Sequence, residues 1–144
     1  MLLAGLALAA LSFFAAPPNP IEAARLNNLG AAYMNQQLFD KGLKAFEQAS
    51  AFDPNLQIAR LNQGIALLNL GKVDAAKPIL EEAVKRDAND PHALYNLGLL
   101  EKNSSDSEAA VKVLRRVTEI DPADRYHTAS EIISRANNSE APPG

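Results

Sequence analysis

The sequence predicts an all-α protein: an α-solenoid of three helix pairs followed by a C-terminal capping helix. Two observations predict it. Gly30, Gly64 and Gly98 recur at a spacing of 34 residues, inside the related phrases LNNLGAAYM (26–34), LNQGIALLN (61–69) and LYNLGLLEK (94–102). Between chain breaks the apolar residues follow one helical face, as in Leu26, Leu29, Gly30 and Tyr33, and no segment alternates in the manner of a strand. A two-helix unit of this length cannot bury its apolar face alone. Successive units therefore stack into a continuous core, and the ends of the stack need caps.

The elements follow in order. Met1 to Ile21 carries no charge, and Leu2 to Phe14 is apolar apart from Ser12, about the length of a signal-peptide core. Ala15, Ala16 and Pro17 supply small residues for cleavage, although no Lys or Arg precedes the run and Phe14 fits an A-x-A site poorly. The run is short for a spanning helix, which needs roughly 20 apolar residues. Residues 1–19 are expected to be a signal peptide or N-terminal membrane anchor, with a tether through 1–16 and an exported, periplasmic or membrane-tethered protein. A truncated or mis-started N-terminus implies a cytoplasmic protein instead, and a helix packed on the domain is a third reading.

Asn19-Pro20 reads as a helix start, a side-chain cap followed by Pro at the first helical position. Asp53-Pro54, Asp90-Pro91 and Asp121-Pro122 read as boundaries of the same kind, because a residue before Pro resists the helical region. Helices are expected at 20–36, 39–51, 56–70, 73–87, 91–103, 107–120 and 123–137, with pairs split near Gln37, Gly71 and Ser105 and Gly71 as a helix cap. Leu43, Phe46, Ala49, then Leu80, Ala83, Val84, then Leu114, Val117 mark the second helices, and Ala129, Ile132, Ile133 and Ala136 stripe the last one. The repeat domain is thus 20–137, with units near 23–56, 57–90 and 91–124 and a cap at 123–137. Polar residues 138–144 read as a frayed tail.

Composition excludes several function classes. Hydrophobic residues at 47% and charged ones at 22% give a folding chain rather than a disordered one. A net charge of −3 without a basic segment argues against a nucleic-acid surface. The absence of cysteine removes disulfides, thiolate metal sites and a cysteine nucleophile. Gly64 to Lys72 fails as a phosphate loop, since it is helical and no Ser or Thr follows Lys72. His92 and His127 are the only histidines and have no partner ligands at metal spacing. Glu81 and Glu82 are adjacent, so their side chains diverge on a helix. Asn103-Ser104-Ser105 and Asn137-Asn138-Ser139 match a glycosylation pattern too short to carry weight. With no nucleophile–base pair and no cofactor motif, the chain reads as a non-enzyme with no cofactor.

Several recurring residues carry a family resemblance. Leu29-Gly30 and Leu97-Gly98, with Gln63-Gly64 as a weaker copy, are followed in the first unit by Tyr33, where Leu67 and Glu101 depart. Small residues Gly42, Ala76 and Ala110 open the second helices. Phe46, Leu80 and Leu114 follow, then Ala49, Ala83 and Val117, and the units close on Pro54, Ala88 and Pro122. Over 23–124 the chain resembles tetratricopeptide repeats. That resemblance implies a helix-pair solenoid whose first helices line a concave groove.

Asn28, Asn62 and Asn96 each stand two residues before a repeat glycine, and Asn35, Asn69 and Asn103 each stand five after it. At about 100° per residue both rows lie on the face opposite the apolar stripe. That face also carries Ala24, Ala31, Ile58, Ile65, His92 and Leu99. Asn is a mediocre helix former, so its recurrence calls for a reason. A carboxamide both donates and accepts, so a ladder of Asn can hold an extended peptide backbone while Ile58, Ile65 and Leu99 contact side chains. The resemblance supports this, since some members bind peptides through asparagine ladders. Equally, the inner row can bond the helix backbone of the adjacent repeat, and the outer row, close to helix ends, can cap its helices. The positions that hold a C-terminal carboxylate in other members are here Asn27, Ala31, Asn62, His92 and Asn96; only Asn62 agrees, which argues against that mode. The expected function is a non-catalytic scaffold for a protein or extended peptide. The alternatives are a self-assembling structural module, self-associating through its repeat ends, and an accessory region of a larger exported protein or enzyme complex.

Overall fold

Asn19 starts the fold. Its Oδ1 accepts from the backbone N–H of Glu22 at 3.1 Å, and Pro20 supplies the first helical residue, whose missing N–H costs nothing there. The computed structural model describes residues 17–104, 106–122 and 127–139. Within them the elements are α1 (Pro20–Asn35), α2 (Phe39–Phe52), α3 (Gln57–Asn69), α4 (Val73–Arg86), α5 (Pro91–Asn103), α6 (Ser107–Ile120) and α7 (His127–Ser139), with no strand. The first six fall within two residues of expectation. Residues 123–126 of the expected last helix lie outside the described residues, as do the apolar segment 1–16 and residues 140–144. The backbone of α7 extends to Ser139, two residues into the expected tail.

The Asp-Pro boundaries divide into two kinds. Asp90 caps α5, accepting from the N–H groups of His92 and Ala93, with Pro91 at the first helical position. Asp53 and Asp121 instead end α2 and α6. The Asp53 carboxylate accepts from Asn55 N–H at 2.9 Å and its carbonyl from Leu56 N–H, a turn that delays α3 to Gln57. The correction has a simple cause: a carboxylate bonds whichever nearby N–H is free, and before Pro that can be a turn as readily as a helix. Within each pair the turn repeats. Leu38 N–H donates to Tyr33 O, Lys72 N–H to Leu67 O and Asp106 N–H to Glu101 O, at 2.9, 2.9 and 3.0 Å. This closure needs a left-handed residue, supplied by Gly71 at φ 72° and by Gln37 at φ 60°. Without glycine's freedom, Gln37 bears about 1 kcal/mol of strain.

The core forms where second helices cross first ones. Phe46, Leu80 and Leu114 are fully buried, each over the repeat glycine of the preceding helix. Leu43, Phe46, Leu61, Leu67, Leu80 and Leu97 belong to one continuous cluster across the repeats. Leu94, Leu114, Val117 and Ala129 form a second, with Ile132 and Ile133 half-buried beside it. Substantial packing joins consecutive helices, together with α1 to α3 and α3 to α5. On the other side of α7, Ser130 and Ser134 are exposed, the polar outer face that a capping helix requires. No helix among the described residues is long and apolar enough to cross a membrane.

Two residues depart from the expected apolar stripe. Leu29 is 37% exposed, whereas Leu97 at the equivalent place is 8% exposed. Leu97 is covered by α4 of the preceding repeat, through the cluster that contains Leu80 and Val84; among the described residues α1 has no preceding helix. Glu101, in the slot filled by Tyr33 and Leu67, is 8% exposed, and its carboxylate meets Lys77 Nζ of α4 at 3.0 Å. The hydrogen bond and then the charge of Glu101 hold the Lys77 ammonium above its ordinary range. A raised cation contributes stability that is present below the ordinary lysine value of about 10.4 and lost as pH rises through the folded value. Lys77→Met is therefore expected to lower the melting temperature at pH 7, by stranding a buried carboxylate. Its deficit relative to the parent should shrink above about pH 10.4. Glu101→Leu, an apolar side chain in an apolar slot, should melt no lower than the parent at pH 7. Melting curves of all three proteins across pH check both statements.

Candidate binding groove

The exposed face of the first helices is built from the residues opposite the buried stripe. On α1 it carries Ala24, Asn28, Ala31 and Asn35, all exposed. On α3 it carries Ile58, at 47% exposure, then half-buried Asn62 and Ile65 and exposed Asn69. On α5 it carries exposed His92, half-buried Asn96 and Leu99, and exposed Asn103. The packing of α1 on α3 and of α3 on α5 sets these rows side by side.

The asparagines do not form one uniform ladder. Asn62 Nδ2 donates to Asn27 Oδ1 at 3.0 Å, across from the second repeat to the first. Asn96 Nδ2 donates to His92 O at 2.8 Å, and Asn69 Nδ2 to Ile65 O at 2.9 Å, each within its own helix. Asn28, Asn35 and Asn103 are exposed and make no side-chain hydrogen bond among the described residues. Three of the six amides thus spend a donor inside the protein, and their side-chain oxygens accept no hydrogen bond among the described residues. Such oxygens suit peptide N–H groups rather than carbonyls. The link from Asn62 to Asn27 was missed because Asn27 stands outside both rows; the inter-repeat approach, not a period, brings the two together.

The apolar members also separate. Ile65 and Leu99 pack against the main core cluster and show only part of their surface. Ile58 lines a cleft of about 500 Å³ with Leu61, Ile79, Ala83, Arg86 and Asp90, formed by α3, α4 and the start of α5. Beside it Arg86 donates to Glu82 at 2.6 Å, while Glu81 turns to Lys77, so the adjacent glutamates diverge. Among the described residues no group of His, Asp and Glu is arranged to hold a metal ion.

A family model described as tetratricopeptide repeat matches residues 27–76 and 61–125. The chain belongs to the tetratricopeptide repeat family. Tetratricopeptide repeats are generally non-catalytic modules of protein interaction. Among solved structures, the first TPR of Spaghetti (RPAP3) bound to HSP90 peptide SRMEEVD is similar at 20% identity and TM-score 0.74, covering 85% of this chain and 95% of that one. MamA is similar at 21% identity and TM-score 0.72, covering 85% and 70%. The Sgt2 TPR domain from Aspergillus fumigatus gives 24% identity and TM-score 0.68, covering 89% of each chain. At these identities the likeness is one of fold. No curated protein matches the sequence.

Proposed function

We propose that this tetratricopeptide repeat chain is a non-catalytic scaffold that binds an extended peptide or protein segment along the first helices of its repeats. The reading is carried by the exposed and half-buried carboxamides interleaved with Ile58, Ile65 and Leu99. The remaining hydrogen-bonding capacity of Asn62, Asn69 and Asn96, with the exposed amides of Asn28, Asn35 and Asn103, supplies partners for a peptide backbone, and the apolar residues contact its side chains. The peptide held by the RPAP3 domain supports the class of ligand. The way it is held does not carry over, because the carboxylate-clamp positions here hold Asn27, Ala31, Asn62, His92 and Asn96.

Replacing Asn28, Asn62 and Asn96 together by Ala is expected to weaken a partner recovered by crosslinking by about 2–4 kcal/mol if the contacts are independent. The same variant should lose only about 1 kcal/mol of stability, from the Asn62–Asn27 bond. Titration calorimetry beside thermal melting measures both, and unchanged affinity with lost stability would refute the groove. Binding should change little with salt, since amides and apolar groups make the contacts.

A second reading, self-association, is favoured by the apolar surface of α1, where among the described residues Ile21 is 83% and Leu29 37% exposed. Mass that rises with concentration in sedimentation would favour it. We further propose that residues 1–16 direct export or tether the chain. A fusion of residues 1–20 to a reporter active only outside the cytoplasm should then be active, and a silent reporter would reject it.

A further inference from the structure

The end of α5, residues 107–115 of α6 and residues 132–137 of α7 line an open cleft of about 860 Å³. Among the described residues α7 packs chiefly on α6, and the cleft lies beside that contact. Four cations line it, Lys102, Lys112, Arg115 and Arg135, against one carboxylate, Glu108. This is a concentrated positive site in a chain of net charge −3. Elsewhere Arg25, Arg60, Lys77, Arg86 and Arg116 are paired with glutamates, while Lys41, Lys44, Lys72 and Lys85, without a carboxylate partner among the described residues, are scattered over α2, α4 and the N-cap of α4 rather than gathered at one cleft. Among the described residues Lys102, Lys112 and Arg135 have no carboxylate partner. Arg115 donates to Asn137 Oδ1 of α7 at 2.8 Å, which orders one guanidinium at the cleft before any ligand arrives. Val111, Ile132 and Ala136 add apolar surface between the charges.

We propose that this cleft is a second docking site, separate from the asparagine face, for an acidic segment of a partner protein that places an apolar side chain between two or more carboxylates. Unpaired cations around a concave site attract and orient carboxylates, and the apolar surface rewards a buried aliphatic group. Nucleic acid fits less well: no aromatic ring lines the cleft to stack a base, and the cations ring a pocket rather than a track. The inference does not depend on the groove reading, since none of the residues involved lies in the asparagine rows.

The test uses the full chain and a fluorescein-labelled peptide, SEELDES, read by anisotropy. The peptide should bind, and more weakly as salt rises from about 50 to about 300 mM. Lys112→Glu with Arg135→Glu should weaken it roughly tenfold or more, Lys112→Gln with Arg135→Gln by less, and Lys44→Gln, an exposed lysine of α2 away from the cleft, should leave it unchanged. The isosteric neutral peptide SQQLNQS and the analogue SEESDES should both bind more weakly. Circular dichroism checks that the variants fold. No binding of SEELDES at millimolar protein would overturn the proposal. So would unaltered affinity in both double variants, equal affinity for SEESDES, or a stronger hold on oligo-dT.

Discussion

Gly98→Leu is expected to lower stability by about 3 kcal/mol, roughly 10 °C in melting temperature for a domain of this size. A methyl group built on Gly98 falls 2.5 Å from Leu114 Cδ2 and 2.6 Å from its Cγ. Real carbon contacts lie at about 3.5–4.0 Å, so one methyl already forces movement, and the rest of a leucine side chain adds to it. Leu114 has nowhere to go: it is fully buried, clustered with Leu94, Val117 and Ala129 at the junction with α7. The strain therefore reaches the cap as well as the third repeat. Calorimetric melting measures the loss, and an unchanged melting point would show that α5 and α6 do not approach as described.

Phe46→Ala is expected to cost about 3–5 kcal/mol, the range for a large buried aromatic truncated without collapse of its site. Phe46 is 1% exposed and joins the main cluster with Leu43, Leu61 and Leu67. Its ring lies over Gly30, where an added methyl would fall 2.5 Å from Cε1 and 2.7 Å from Cδ1. That contact gives the prediction a second, sharper form. Gly30→Ala alone should destabilise through overpacking. In the Phe46→Ala background the same methyl enters vacated space and should destabilise less or stabilise. A double-mutant cycle by denaturant unfolding reads the coupling, and additive effects would mean that the ring does not rest on the glycine.

The sequence carried the helices because its punctuation is local. Asn19-Pro20, Asp90-Pro91 and Gly71 each act within a few residues of themselves, and the fixed spacing of Gly30, Gly64 and Gly98 extends that signal through the stack. What the period could not convey is position within the stack. Leu29 and Leu97 are equivalent in register, yet among the described residues only Leu97 has a preceding helix to cover it. Glu101 read as a defect in the repeat because its partner Lys77 lies 24 residues away on a different repeat. Gln37 gave no hint of a left-handed turn, and only its register with Gly71 does. In the groove the two Asn rows were legible as rows, whereas their hydrogen bonds were not: rotamer and helix approach decide whether Asn62 meets Asn27 and Asn96 its own turn. The cationic cleft was invisible for a related reason. Residues 102, 112, 115 and 135 share no period and meet only through the lie of α7 on α6.

Packing between chain neighbours has a kinetic consequence. With contacts mostly close in sequence, little loop closure precedes the first favourable contact, so folding is expected on the microsecond-to-millisecond scale of low contact order. The same locality lets the molecule open in parts. Backbone amides of α7, held chiefly by α6, should exchange with solvent through fraying of that end alone. Those of α3, flanked on both sides, should exchange only when most of the array opens. The cationic cleft lies against α7, the helix expected to exchange early, and an acidic ligand seated there would slow exchange in α7 first.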